Sequence, residues 1–383
     1  MKSGLSRRDK HLRMLLRILP KRNDRRGFTL IELLVAILIS GIIVSGLLYL
    51  VVEVLGINQK DSSRSDTQRD MQLAMDYITR DLREAFYVYG TEVEDNRVVS
   101  CLDATPTIPP DTRGTDNKCT GLLAYLPAHL KTSKNIPVLA FWKPEPLPEK
   151  VTKHCKDNRD KIGQTPPTPA SRLIDRIPCV AQRMYTLVVY SLNTENTTNI
   201  WKGRARIKRY TLPHFSESFT DNIRKPGWVA PVAANDKRPL SWPFGKTDKG
   251  IFNLQEKPSS DAIDAIPAAG TPSGESAESV VLTDFVDSPA TAQPNLTPVA
   301  PTPTTNSGYC PNNFEVANFG RFVPEFYACV RRASVNENPE VRVVIKGNAA
   351  GRGGIPYATG EVPFQMEAQV MGRGVYSKQR SGS

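Results

Sequence analysis

The feature that most constrains the fold of this chain is a long uncharged stretch near its N-terminus. From Leu33 to Val52 the sequence runs for 20 residues without a charged side chain. As a helix with a rise of about 1.5 Å per residue, this stretch spans about 30 Å, the thickness of a bilayer core. A helix buried in a soluble core is the alternative, and the basic cluster directly before the stretch disfavours it. The sequence therefore predicts one membrane-spanning helix, which we place at residues 28–56.

The basic residues that precede this stretch indicate its orientation. Lys21, Arg22, Arg25 and Arg26 lie directly before it, and positive charge at that position keeps the N-terminus in the cytoplasm. We therefore expect a single-pass inner-membrane protein whose remaining residues are extracytoplasmic. Of the net charge of +11, residues 1–27 contribute +8, which leaves +3 for all other residues. The basicity is thus mostly local, and it does not argue for a nucleic-acid surface on the rest of the chain.

Residues 1–27 have the pattern of a basic amphipathic leader. Leu12, Leu15, Leu16 and Leu19 follow the spacing of one helical face, with basic side chains between them. Such a segment suits an anionic membrane surface. Its apolar part is too interrupted for a secretory signal, and no A-x-A cleavage site follows it. The leader therefore requires another kind of processing.

Glu32 is the only charged residue at the head of the apolar stretch. A carboxylate near the centre of a membrane helix costs about 2.5–3.5 kcal/mol, and less toward the interface. An isolated ionised side chain at this position needs a partner.

Residues 25–35 read RRGFTLIELLV, which resembles the type IV prepilin processing motif. The resemblance implies that a membrane prepilin peptidase cuts after Gly27 and removes the leader. It also implies that Phe28 becomes the new N-terminus and is N-methylated. Glu32, then the fifth residue, would guide assembly into a filament that eventually carries the subunit out of the membrane.

The sequence beyond Gly56 turns polar but keeps a helical period. Five apolar residues recur at steps of four, three, four and four: Met71, Met75, Ile78, Leu82 and Phe86. Charged residues occupy the other faces: Arg69, Asp70, Asp76, Arg80, Asp81, Arg83 and Glu84. We predict one helix from about Phe28 to Phe86. Its second part belongs to an amphipathic region, residues 57–90, that packs on a globular head.

Residues 91–383 have the pattern of a β-rich head. Seven short apolar or alternating runs are predicted strands: Leu122–Leu126, Val138–Trp142, Met184–Leu192, Ala205–Leu212, Val280–Val286, Val341–Ile345 and Phe364–Val370. Residues 287–308, rich in Pro and Thr, are a predicted exposed insertion. The predicted fold class is α+β, with the long helix packed on a β-sheet head as in type IV pilins.

A second resemblance covers part of the head. Residues 68–83 resemble the helix of large minor pilins, namely the J-type minor pseudopilins of type II secretion and the W-type minor pilins. The runs at 185–187, 206–210 and 280–286 are similar to strands in the heads of these minor pilins. The chain also resembles large cyanobacterial pseudopilins tied to polysaccharide export. This implies a structural subunit at or near the tip of a type IV pilus or type II secretion-like filament. It would support motility, secretion or polysaccharide export. The implied partners are other pilin or pseudopilin subunits, the prepilin peptidase, the inner-membrane assembly platform and the lipid bilayer.

The six cysteines suggest disulfides formed in an oxidising compartment. None lies in a C-x-x-C pair, and no histidine stands at zinc-finger spacing, so we expect no metal site. Buried free thiols are the alternative. The simplest pairing joins sequence neighbours, and these candidate pairs are Cys101–Cys119, Cys155–Cys179 and Cys310–Cys329.

The sequence lacks motifs for catalysis, so we expect no enzyme and no cofactor. The glycine-rich residues 347–354 lack the Lys-Ser/Thr of a P-loop, and we predict a flexible hairpin connection there. Lys202, Arg204, Arg206 and Lys208 would share one face of a strand. We interpret them as a solvated edge strand, or else as a surface for an anionic partner, DNA or acidic polysaccharide. The alternative function is accordingly a pilin-anchored binding module.

Overall fold

A computed structural model describes the chain from Gly27 to Gly372 with gaps. The described residues are 27–90, 92–94, 97–99, 126–130, 132, 134–165, 174, 177–196, 200–215, 228, 231, 279–288, 309–311, 313–317, 323–331, 338, 340–353, 355 and 363–372. The chain divides into two compact units, residues 1–58 and 59–383.

Helix α1 runs from Leu30 to Arg83 over 54 residues. Its apolar side chains up to Ile57 are exposed, and this part of the helix is apolar on all faces, as a membrane span is. In the second unit, the predicted stripe of Met71, Ile78 and Leu82 is buried. This confirms the long N-terminal helix. It ends earlier than predicted, because the Phe86 amide already donates a hydrogen bond to Trp142 of the sheet at 3.0 Å.

In its described residues, the head consists of one antiparallel sheet of nine strands and a separate two-stranded hairpin. Its strands in chain order are β1 (Tyr87–Val88), β2 (Glu92–Glu94), β3 (Arg97–Val99), β4 (Asn135–Pro146), β5 (Arg183–Asn193), β6 (Ala205–Pro213), β7 (Ser279–Val286), β8 (Phe314–Val316), β9 (Phe326–Arg331), β10 (Glu340–Asn348) and β11 (Pro363–Met371). The order in the sheet is β1-β4-β5-β6-β7-β10-β9-β8, and β11 pairs with β10. β2 and β3 form the hairpin.

The sheet has two parts that meet at a single residue pair. β4 to β7 form a meander, and β8 to β11 form a second group. Val286 of β7 and Gly347 of β10 are the pair that joins them. Met71, Ile78 and Leu82 belong to the same hydrophobic cluster as the buried residues of both groups. The α+β fold class is confirmed.

Most predicted strands are present. Six of the seven predicted runs lie within β4, β5, β6, β7, β10 and β11. In the seventh, residues 122–125 lie outside the described residues, and Leu126 is not in a strand. The predicted insertion likewise lies mostly outside the described part of the chain. β9, with the short apolar run FYACV, was missed, although Phe326, Ala328 and Cys329 are fully buried.

The expected basic edge strand is wrong. β6 lies inside the sheet, hydrogen-bonded to β5 on one side and β7 on the other. Arg206 is fully buried and donates a hydrogen bond to Asn193 Oδ1 at 3.0 Å. Arg209 is turned toward α1. Of the basic residues on which the anionic-partner hypothesis rested, Arg206 is buried, whereas Lys202 is exposed. That hypothesis stays a prediction.

A small satellite cluster occupies the connection between β4 and β5. Helix α2 (Glu149–Asp157) buries Val151 and Cys155 against Ile177 and Phe215. Cys155 is bonded to Cys179, and their Cα atoms are 5.5 Å apart.

The second described disulfide lies in the main sheet. Cys310 is bonded to Cys329 of β9, with 5.7 Å between their Cα atoms. Cys101 and Cys119 lie outside the described residues. Both predicted pairs that fall within the described residues are thus bonded.

Candidate processing and assembly segment

The residues before α1 hold two of the sequence-predicted site residues. Gly27, Phe28 and Thr29 are not helical, and Leu30 is the first helical residue. The Phe28 side chain is 81% exposed. A Cβ placed on Gly27 would have no neighbour within 4 Å. Packing among the described residues therefore does not require glycine at position 27.

Thr29 and Glu32 cap the helix reciprocally. The Glu32 amide donates to Thr29 Oγ1 at 3.3 Å, while the Thr29 amide donates to Glu32 Oε2 at 3.4 Å. The Thr29 hydroxyl also donates to Glu32 Oε2 at 3.3 Å. This is a capping box, T-x-x-E, which satisfies two backbone donors at a helix start and places a negative charge near the positive end of the helix dipole. The motif was readable in the sequence, and our sequence reasoning missed it.

The capping box places all three predicted N-terminal site residues in one short segment. Because Thr29 is the N-cap and the helix begins at Leu30, the peptide bond between Gly27 and Phe28 lies outside the helix. Glu32 lies in the first turn, so its carboxylate reaches back toward the residues before the helix. The Glu32 carboxylate and the backbone nitrogen of Phe28 thus lie at the same end of α1.

The segment after Glu32 is suited to an apolar environment. Ser40 donates to the Ile37 carbonyl at 3.0 Å and Ser45 to the Gly41 carbonyl at 2.8 Å, so both hydroxyls are satisfied within the helix. Among the described residues, α1 is the one helix that is long and apolar enough to cross a membrane. This exposed apolar helix is consistent with a membrane anchor.

A buried polar network joins the last turns of α1 to the sheet. Asp81 Oδ1 accepts from Lys143 Nζ on β4 at 2.7 Å. Its other oxygen, Oδ2, accepts from the Tyr190 hydroxyl on β5 at 2.7 Å and from Arg209 Nε on β6 at 2.8 Å. Glu145 lies 2.9 Å from Lys143. Three adjacent strands therefore contact one carboxylate of the helix.

The charges of this network fix its protonation. Burial alone would raise the pKa of Asp81, but Arg209 and the hydrogen bond from Lys143 outweigh it and lower that pKa. Burial would lower the pKa of Lys143, and Asp81 raises it above its usual value instead. Burial and the Asp81 charge raise the pKa of Tyr190. Asp81, Lys143 and Tyr190 therefore each keep one protonation state near neutral pH, as a structural network does and a general acid or base does not.

The glycine-rich connection between β10 and β11 contacts α1. Arg352 donates to Asp70 Oδ2 at 2.8 Å and to Thr67 Oγ1 at 3.1 Å, and the Gly353 carbonyl accepts from the Ser63 hydroxyl at 2.6 Å. The predicted hairpin is present, since β10 and β11 pair directly. The described start of its loop is packed on the helix.

Within the described residues, no group of three or more His, Cys, Asp or Glu side chains could hold a metal ion. Of the four histidines, His11 lies outside them. Two of the others occupy separate parts of the head, with His129 beside Tyr210 and His214 stacked on Trp228.

Comparison with known proteins identifies the N-terminal segment. Residues 22–48 match the family model described as the prokaryotic N-terminal methylation motif. The matched range contains Gly27, Phe28, Glu32 and the first turns of α1. The chain is therefore prepilin-like at its N-terminus. No curated protein and no solved structure matches the chain.

Proposed function

We propose that this chain, prepilin-like through its methylation motif and long apolar helix, is a structural subunit of a pilin-type filament. It is cleaved by a prepilin peptidase between Gly27 and Phe28, and Phe28 is then N-methylated. The subunit waits in the inner membrane with its N-terminus cytoplasmic and its head extracytoplasmic. In this proposal the chain has a structural role, assembly into the filament, and no enzymatic one.

The observation that carries the proposal is the geometry around the processing motif. The Gly27–Phe28 bond lies before the helix, and the capping box of Thr29 and Glu32 keeps it there. Backbone outside a helix has free amide and carbonyl groups that a peptidase can bind. Gly27 has no packing reason to be glycine, which leaves recognition of a small side chain by the peptidase as the reason.

The exposed apolar face of α1 supplies the means of assembly. Its side chains up to Ile57 suit lipid before assembly and the apolar helices of other subunits afterwards. Glu32 then meets the Phe28 amine of a neighbouring subunit, which removes much of the cost of a carboxylate in this setting.

The size of the head favours a minor subunit at or near the filament tip. Long connections, including the disulfide-tied α2 cluster, enlarge it well beyond the sheet and helix. A subunit at the tip has fewer neighbours to accommodate such additions than one repeated along the shaft. The filament would be a type IV pilus or a type II secretion-like fibre that serves motility, secretion or polysaccharide export. The partners are other pilin-like subunits, the prepilin peptidase and the assembly platform.

The test is the substitution Gly27→Leu in the full chain. A bulky side chain at the cleavage site should leave the precursor uncleaved and absent from sheared filaments. Gly46→Leu is the matched control, because Gly46 is an exposed helical glycine with equal space around it. An immunoblot shows precursor and mature protein, and mass spectrometry of the wild type should find N-methylated Phe28. Normal mature protein from Gly27→Leu would refute the processing claim.

A further inference from the structure

We propose that the outer edge of β11 docks an extended segment from the head of a neighbouring filament subunit, which joins the sheet as an additional strand. The inference rests on the proposed function, because that function supplies the neighbour.

β11 is an edge strand. Residues Val341–Ile345 of β10 pair with β9 on one side and with β11 on the other. β11 pairs with β10 along its whole length, Pro363–Met371, without a register shift. Among the described residues β10 is its only strand partner. Within the part of the chain that the structure describes, its outer edge thus presents a row of backbone donors and acceptors without strand partners.

This edge lacks the protection that β1 and β8 have at the two ends of the strand order. β1 has two residues and β8 has three, and such short strands offer little to pair with. β11 has nine residues, no lysine or arginine and no bulge. Pro363 occupies only its first position. Its one charged residue, Glu367, contacts Arg342 of β10 and is still about half exposed.

The side chains of β11 define the chemistry of the partner. Phe364, Met366 and Ala368 face the main core but stay half-buried, since the sheet ends beside them. An added strand with apolar residues at alternate positions would cover them. The exposed face carries Gln365, Glu367 and Gln369, so a basic or neutral residue fits opposite Glu367.

β11 is also held in place before any partner arrives. The Phe364 ring lies over Gly347 of β10 and leaves no room for a Cβ there. On the exposed face, Gln369 donates to Glu340 of β10 at 2.5 Å. A rigid strand loses little conformational entropy on binding.

A different subunit suits this edge better than a second copy of the chain. In the centred antiparallel register, a second β11 would place Glu367 opposite Glu367, and like charges opposite each other destabilise a sheet. A segment of another sequence can place a basic residue there.

Photo-crosslinking in intact cells tests the proposal. The full chain carries p-benzoylphenylalanine at Met371, which is 58% exposed, and filaments are sheared and analysed by mass spectrometry. The matched control carries the probe at Val280, which is 65% exposed on β7, a strand that does not pair with β11. We expect the Met371 probe to crosslink to the head of a different protein that has its own N-terminal methylation motif, and the Val280 probe not to do so.

A second variant probes the edge itself. Gln365→Lys with Gln369→Lys adds lysines on exposed positions, the way natural edge strands resist pairing, and should lower the crosslink yield at least about fivefold. Val280→Lys should leave the yield unchanged.

The remaining outcomes overturn the docking. These are a crosslink to residues 373–383 of the same chain, a crosslink to a second copy, and no crosslink although the wild-type chain is in filaments. In all three the proposed function stands. A wild-type chain that is cleaved but absent from filaments would instead overturn both.

Discussion

Asp81 Oδ1 lies 2.7 Å from Lys143 Nζ, and both side chains are almost fully buried. The two residues are 62 positions apart in the sequence, one near the end of α1 and the other on β4. Arg209 and Tyr190 bind the second carboxylate oxygen, so Asp81 is satisfied from three strands at once. Because hydrogen bonds are directional, this contact fixes where the helix lies along the sheet more sharply than apolar packing can.

The first prediction concerns the loss of this charge. Asp81→Asn leaves the Lys143 and Arg209 charges buried without their closest carboxylate, although Glu145 and the half-exposed Glu84 stay within 4 Å of Lys143. It should lower the free energy of unfolding by about 3 kcal/mol. Thermal or denaturant unfolding of a soluble fragment beginning at Asp61 measures the change. The control Lys153→Ala breaks the exposed Lys153–Asp157 pair and should cost less than about 0.5 kcal/mol. Equal losses in both variants would show that the buried network stabilises no more than a surface pair.

The same network predicts an acid-sensitive stability. The folded pKa of Asp81 lies below its ordinary value of 3.8, so its stabilisation is present above that value and is lost as pH falls through the folded pKa. The wild-type fragment should therefore lose more stability than Asp81→Asn between about pH 4 and pH 2. Unfolding curves at several pH values check this, and parallel losses would contradict it.

Glu325 has the opposite pH dependence. It is almost fully buried, and its Oε2 has no hydrogen-bond partner among the described residues. Burial and the Asp287 charge raise the pKa of Glu325, and the Lys346 charge offsets part of this rise. A raised pKa means that its stabilisation is present below its ordinary value of 4.5 and is lost as pH rises. Glutamine at position 325 cannot ionise. The free energy of unfolding of Glu325→Gln should therefore exceed that of the wild type by about 1 kcal/mol at pH 7 and equal it near pH 4.

The control for Glu325 is Asp76→Asn on the exposed face of α1, where removing a solvated carboxylate should change stability little at either pH. Thermal unfolding at pH 4 and pH 7 makes the comparison. A Glu325→Gln fragment that is less stable than the wild type at pH 7 would show that the ionised carboxylate has a partner in solution.

The sequence predicts those parts of the molecule that depend on local periodicity. The stripe through Met71, Ile78 and Leu82 and the alternation of the strands needed no knowledge of tertiary structure. Asp81 could not be assigned in this way: its position placed it on a polar face, and its burial depends on Lys143 and Arg209, which only the fold brings near. β9 was missed because its apolar run is only five residues long and does not alternate, and such a run alone does not distinguish a strand from another buried segment.

We expect removal of the two described disulfides to lower the stability of the head by different amounts. Cys329 is fully buried on β9 within the main sheet, whereas Cys155 belongs to the satellite cluster around α2. Replacing Cys310 and Cys329 by serine should lower stability by about 3 kcal/mol in the chain-entropy model and unfold the whole head at a lower temperature. Replacing Cys155 and Cys179 should loosen α2 and leave the main transition nearly unchanged.

Mass mapping of the non-reduced protein checks both pairings directly. Both thiols of a pair found free would refute that pair. The Cys101–Cys119 pairing is tested in the same measurement, and it stays a prediction from the sequence alone.

The last prediction separates two roles of Glu32. The capping box needs an acceptor at this position, and glutamine supplies one as well as glutamate does. Charge pairing with the Phe28 amine of a neighbouring subunit needs the negative charge. If capping were the whole role, Glu32→Gln would enter filaments like the wild type and only Glu32→Ala would fail. We expect both variants to be inserted and cleaved but to be poorly incorporated, because the charge is the part that a neighbour recognises.

Thr29→Ala completes the comparison, since it removes the hydroxyl cap and keeps the Glu32 charge. Loss of an N-cap costs about 1 kcal/mol and frays the first turn, which should reduce incorporation only mildly. Each variant is measured as the ratio of cleaved subunit in sheared filaments to cleaved subunit in the membrane. Wild-type ratios for Glu32→Gln, combined with low ratios for Thr29→Ala and Glu32→Ala, would assign Glu32 to the helix cap. The Phe28 amine would then need a different partner in the filament.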